Sequence, residues 1–105
     1  QKGMTSVTAA SKTTYTAVAS DQIVVDTAAN PVTISLPASP AVSDEVTIMD
    51  GSATGGFATN NCIIDRNGSN IEGAASNDTL ATNNQCVTLI YANATKGWLY
   101  KSTNQ

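Results

Sequence analysis

Eight acidic side chains and no histidine bound the chemistry open to this chain. Without His the commonest general base and metal ligand is missing, and neither a Ser-His-Asp nor a Cys-His arrangement can form within it. Carboxylate chemistry remains. Asp65 and Glu72 flank a turn and can approach each other, and Asp44, Glu45 and Asp50 lie close in sequence. A glycosidase needs two such groups roughly 5–10 Å apart across a cleft. A chain of 105 residues with few large apolar side chains has little material for a deep cleft. Arg66, next to Asp65, points to the opposite strand face. Solvated turn charges are the expected role, and no catalytic residue is assigned. Asp50-Gly51-Ser52 and Asp65-Arg66-Asn67-Gly68-Ser69 carry oxygen ligands of the type calcium takes, but not at the spacing of a known loop. Turn chemistry explains both, so neither metal nor other cofactor is expected.

Cys62 and Cys86 each precede an apolar run. Neighbouring strands can bring them together as a disulfide; the simpler reading is two buried thiols acting as small hydrophobes. Two Cys without His do not make a structural zinc site. A sugar site is the other chemistry to weigh. In a strand Trp98 and Tyr100 share one face, and with Asn60 and Asn61 (Asn83, Asn84 and Asn93 are further candidates) they supply a platform and hydroxyl-bonding amides. The competing role for Trp98 is to cover the core or a subunit interface, which the shortage of other large residues favours.

The elements that must position these groups read as strands. Ala, Ser, Thr and Asn make up about half the chain, charged residues 12% and aromatics 5%. Little charge with many Thr and Val argues against disorder and for pleated strands. The net charge is −3, and Lys2, Lys12, Arg66, Lys96 and Lys101 are scattered, which excludes nucleic-acid binding. No apolar run approaches the ~18 residues a bilayer requires, so no membrane insertion is expected, and there is no signal peptide. The chain begins with Gln, which reads as a fragment, a processed product or a trimmed piece.

Alternation and turn signals predict strands over 15–19, 22–26, 32–36, 46–50, 62–66, 79–82, 85–91 and 98–100, with 70–73 returning briefly after an Asn67-Gly68 hairpin turn. Pro37 and Pro40 end the third. Residues 51–61 form a long Gly/Asn loop. Residues 1–13 read as a connector or the end of a preceding segment, and 14–105 as a single β domain. No window shows helical periodicity, and no internal repeat appears at a fixed period. The fold class predicted is all-β: a compact antiparallel sandwich or roll of about eight short strands. A core built from Ala, Val and Ile is thin for a small lone domain, so assembly with identical copies is expected.

One ordered set of segments adds to this. The chain reads Pro31-Val32-Thr33-Ile34-Ser35-Leu36-Pro37-Ala38-Ser39-Pro40, then Asp44-Glu45-Val46-Thr47-Ile48-Met49-Asp50. Next comes Thr59-Asn60-Asn61-Cys62-Ile63-Ile64-Asp65-Arg66-Asn67-Gly68-Ser69-Asn70-Ile71-Glu72-Gly73, and finally Val87-Thr88-Leu89-Ile90-Tyr91 with Lys96-Gly97-Trp98. This order resembles a small β module of the tail fibres, tailspikes and other virion appendages of tailed bacteriophages, over residues 14–101. The resemblance implies a structural virion protein, a homotrimer contacting other virion proteins, acting in fibre assembly or host attachment. It carries no catalytic motif to transfer, and an enzyme is not expected. It also implies a location in the virion after assembly in the host cytoplasm. A carbohydrate-binding module recognising host surface glycan is the alternative function, and a capsid decoration or head fibre a third.

Overall fold

Short segments of β-branched residues at period two give each strand one apolar face, and the computed structural model, which describes residues 3–104, contains nine of them and no helix among those residues. They are β1 (Met4–Thr8), β2 (Thr14–Thr16), β3 (Gln22–Asp26), β4 (Val32–Ser35), β5 (Glu45–Asp50), β6 (Cys62–Asp65), β7 (Asp78–Leu80), β8 (Cys86–Asn93) and β9 (Gly97–Asn104). One sheet has the order β1-β3-β5-β8-β9 and the other β2-β4-β6-β7.

The first six strands alternate between the two sheets. Each pairs in parallel with the strand two places on: β1 with β3, β3 with β5, β2 with β4, and β4 with β6. The chain therefore winds as three two-strand coils. Antiparallel pairings follow, β7 on β6, β8 on β5 across the intervening β6 and β7, and β9 on β8. The expectation of a purely antiparallel sandwich is thus corrected to two mixed sheets. A half-buried strand shows the same alternation whichever way its neighbour runs, so the pattern carries no sign of direction.

Coiling stacks like on like. Ile23, Ile48 and Val87 form one inward ladder, and Ile34 and Ile64 another, with Tyr15 at its head. These residues, with Val7, Val25, Val32, Val46, Leu36, Leu89, Phe57 and Trp98, form the core. Register partners lie 18 residues apart at the first step (Met4 with Gln22) and 19 in the other sheet (Thr14 with Thr33). The next steps span 25 (Gln22 with Thr47) and 30 (Val32 with Cys62). Insertions in the turns thus hide the repeat from a search at fixed period.

Two further expectations change. Residues 4–8, read as connector, are β1, with Val7 and Ala9 buried; Gln1 and Lys2, the start of that reading, lie outside the described residues. The Asn67-Gly68 turn forms, with both residues left-handed (φ 51° and 96°) and the Ser69 N–H on the Arg66 carbonyl at 3.3 Å. Its hairpin does not. Instead of returning along β6, residues 69–74 cross to β9, where Ile71 bridges Trp98 in parallel.

Candidate functional site

The side chains that could do chemistry are engaged with the chain's own turns. Asp65 accepts the Asn67 N–H (3.0 Å) and the Ser35 hydroxyl (3.1 Å), while Glu72 accepts the Tyr100 N–H at 3.0 Å. The two carboxylates thus serve different strands and form no pair. Asp44 accepts the Ala41 N–H, closing the turn before β5, and Glu45 pairs with Lys101 at 2.8 Å on the surface. Asp50 is the most committed. It accepts N–H groups from Ser52, Phe57 and Asn84 at 3.0–3.1 Å, tying the 51–61 loop to the turn before β8. Burial alone raises the Asp50 carboxyl pKa, but the donated bonds from Ser52, Asn84 and Phe57 outweigh it and hold it below the usual carboxylate value. Among the described residues no cluster of three or more His, Cys, Asp or Glu is placed to hold a metal ion.

The amides act likewise. Asn60 donates to the Thr27 carbonyl at 2.9 Å and Asn67 to Leu36, while Asn70 donates to Thr95. Asn83 accepts the Ala58 N–H, and Asn93 those of Thr95 and Lys96. Asn61 is exposed, and its backbone carbonyl takes the Val32 N–H. Abundant Asn in this chain is turn chemistry.

Trp98 covers the core, the role that the shortage of other large residues favours, and offers no exposed ring as a sugar platform. Its ring has no exposed surface and packs edge-to-face on Tyr91, centroids 5.6 Å apart. Tyr100 is half-buried, and its hydroxyl donates to Asp78 across the two sheets. Burial, then that bond, pushes its pKa up. Trp98 and Tyr100 share the inward side of β9, Trp98 fully buried and Tyr100 packed against the core. The cysteines are free and sit in opposite sheets, buried Cys62 on β6 and part-buried Cys86 on β8, in line with the simpler reading of two thiols rather than with the alternative of a disulfide. Burial first, then the charge of Asp50, pushes the Cys62 thiol to about 12, so thiolate chemistry is closed to it at neutral pH.

Shallow polar pockets also lie among the described residues. One, of about 330 Å³, lies among Ser20, Gln22, Ser43, Asp44, Glu45 and Thr47. Ser20 and Ser43 are both left-handed there (φ 74° and 81°), held by N–H bonds to Glu45 and Tyr91 carbonyls. Another, about 210 Å³, is lined by Ile71, Glu72, Ser76, Asn77 and Asp78.

The two ends of the coil stack offer a different kind of site. At the far end, the first half of β9 is covered: Asn70 accepts the Trp98 N–H at 2.8 Å, Trp98 accepts the Glu72 N–H at 2.8 Å, and Glu72 takes the Tyr100 N–H. This contact requires a glycine. A Cβ on Gly97 (φ 71°) would lie 1.9 Å from the Asn70 carbonyl oxygen. The Asn-Gly-Ser and Gly-Trp segments that carry the sequence resemblance are thus two halves of one latch. At the near end, β1 and β2 are the terminal strands of their sheets. The Ala9 N–H donates inward to Asp26 and the Ala17 N–H to Ser35. Period two therefore turns the amides of Ser6 and Thr8, and of Thr14 and Thr16, to the outer edge, where no strand pairs with them among the described residues. Sequence reasoning missed this edge because it missed β1.

No family model matches the chain, and no curated protein does either.

Proposed function

We propose that this chain is a non-catalytic structural module of a tailed-bacteriophage virion appendage, a tail fibre, spike or head fibre, contributing to fibre assembly and host attachment. The observation that supports it is the use of the polar side chains. Asp44, Asp50, Asp65, Glu72 and most of the Asn residues hold turns and strand edges, so the chain's chemistry goes into shape. A coil stack with one partly covered end suits a part that joins an elongated β assembly. Three copies side by side, contacting other virion proteins, complete the reading, and the resemblance of residues 14–101 to appendage modules supports it. The particle is its place of action, after assembly in the host cytoplasm.

Size-exclusion chromatography with light scattering tests this. A trimer at micromolar concentration is expected, and a stable monomer would overturn the assembly reading.

A further inference from the structure

We propose that Asn67 is a self-modification site: its side-chain amide is lost in the folded chain through attack by the Gly68 nitrogen, and the product loosens the latch on β9.

Asparagine is one of the thermolabile side chains, and its decay runs through the backbone of the residue that follows. The amide nitrogen of that residue, once it gives up its proton, attacks the side-chain carbonyl carbon. The new C–N bond closes a five-membered succinimide, and the side-chain nitrogen leaves as ammonia. Water then opens the ring at either carbonyl. One product is aspartate; the other is isoaspartate, whose main chain runs through the side-chain carbon and is one carbon longer. A Cβ on the following residue crowds the attack, and glycine has none. Asn67 is the one asparagine in the sequence followed by glycine.

The structure leaves the attacking nitrogen open. Gly68 is exposed, and among the described residues its N–H donates to no acceptor. A Cβ built on it would meet no atom within 4 Å, so this peptide has room to turn. The backbone bond across the turn, from the Ser69 N–H to the Arg66 carbonyl, is long at 3.3 Å. What opposes the attack is the hold on the leaving nitrogen: Asn67 Nδ2 donates to the Leu36 carbonyl at 2.9 Å. Ring closure therefore needs a local opening in which Nδ2 leaves Leu36, and neither sheet has to unfold.

The same bond gives the product its effect. Aspartate at this position has no donor for Leu36 and sets a carboxylate beside that carbonyl and near Asp65, which already accepts the N–H of residue 67. Isoaspartate adds a carbon to a two-residue left-handed turn (φ 51° and 96°). Two residues beyond that turn, Asn70 accepts the Trp98 N–H where Gly97 has no room for a Cβ. A contact that close does not absorb a longer chain, so the change at residue 67 passes to the latch.

The intact protein, held at mildly alkaline pH in oxygen-18 water, is mapped by mass spectrometry, and isoaspartate is identified by enzymatic methylation. Asn67 is expected to convert about tenfold faster than any other asparagine. Gly68→Ala, whose Cβ enters open space, should slow that conversion about tenfold with the fold retained. Ile23→Val, in the core of the other sheet, should leave the rate unchanged, whereas a route through global unfolding would speed it about fivefold. In the converted protein the Trp98 amide should exchange about tenfold faster than in the parent. Conversion spread evenly over the asparagines, conversion that Gly68→Ala leaves unslowed or Ile23→Val accelerates, or an unchanged Trp98 amide overturns the proposal.

Discussion

The two ends of the coil stack finish their cores in the same way and their edges in opposite ways. At the near end Tyr15 heads the inward ladder and gives its hydroxyl to Asp21 at 2.9 Å. At the far end Tyr100 gives its hydroxyl to Asp78, which stands opposite Ile64 as the last rung. Each end thus closes the apolar interior with a tyrosine whose ring packs inward and whose hydroxyl meets a carboxylate. The far end also covers part of its backbone edge, through residues 70–74 lying along the start of β9, while β7 ends its own sheet with no strand beyond it among the described residues. Sealing a core and satisfying an edge are separate problems. This chain solves the second in part at one end, along β9, and at the other no strand pairs with the outer edges of β1 and β2 among the described residues.

The sharpest way to break that contrast is to destroy the far latch. Trp98→Ala removes the largest buried side chain and should cost roughly 3–5 kcal/mol in urea unfolding. Gly97→Ala forces a Cβ into the Asn70 backbone and should cost about 3 kcal/mol or more, whereas Gly68→Ala, equally left-handed but with open space around it, should cost about 1 kcal/mol. Equal costs would mean that the 70–74 segment is not held against β9. Tyr100→Phe, which strands a half-buried carboxylate, should cost about 1–3 kcal/mol.

Acid sharpens the comparison on a neighbouring loop. The Asp50 pKa is depressed on folding, so its stabilisation is complete above the unfolded carboxyl value, about 3.9, and is lost as pH falls through the lower folded value. Asp50→Asn should lower stability at neutral pH and flatten the acid limb of the pH–stability curve; an unchanged limb would remove Asp50 from its place as the loop's anchor. Least affected of all is the open edge. Ser6→Lys places a charge on an exposed position and should change stability by no more than about 0.5 kcal/mol.

Sequence made the strand positions legible where alternation was strict. Val32-Thr33-Ile34-Ser35, 46–50 and 87–91 lie in strands, with Val32, Ile34, Val46, Ile48, Val87 and Leu89 inward. Direction was not legible, since period two is common to parallel and antiparallel neighbours. β1 escaped because its two large apolar residues, Met4 and Val7, fall on opposite faces, Met4 outward and Val7 inward, which breaks the alternation. The turn at Asn67-Gly68 was readable from local chemistry. The fate of the residues after it was not, because Ile71 finds Trp98 through a contact that no local window contains. The chemistry of the acids was readable only in part. Their turn role follows from their neighbours, but the long-range partners, Asp50 with Asn84 or Glu72 with Tyr100, belong to the tertiary fold.

Amide hydrogen exchange on the protein alone tests the open-and-covered asymmetry most directly. Ser6, Thr8, Thr14 and Thr16 should exchange close to the rate of unstructured amides, while Trp98 and Tyr100 exchange only through global unfolding. Comparable protection at both ends would contradict the account.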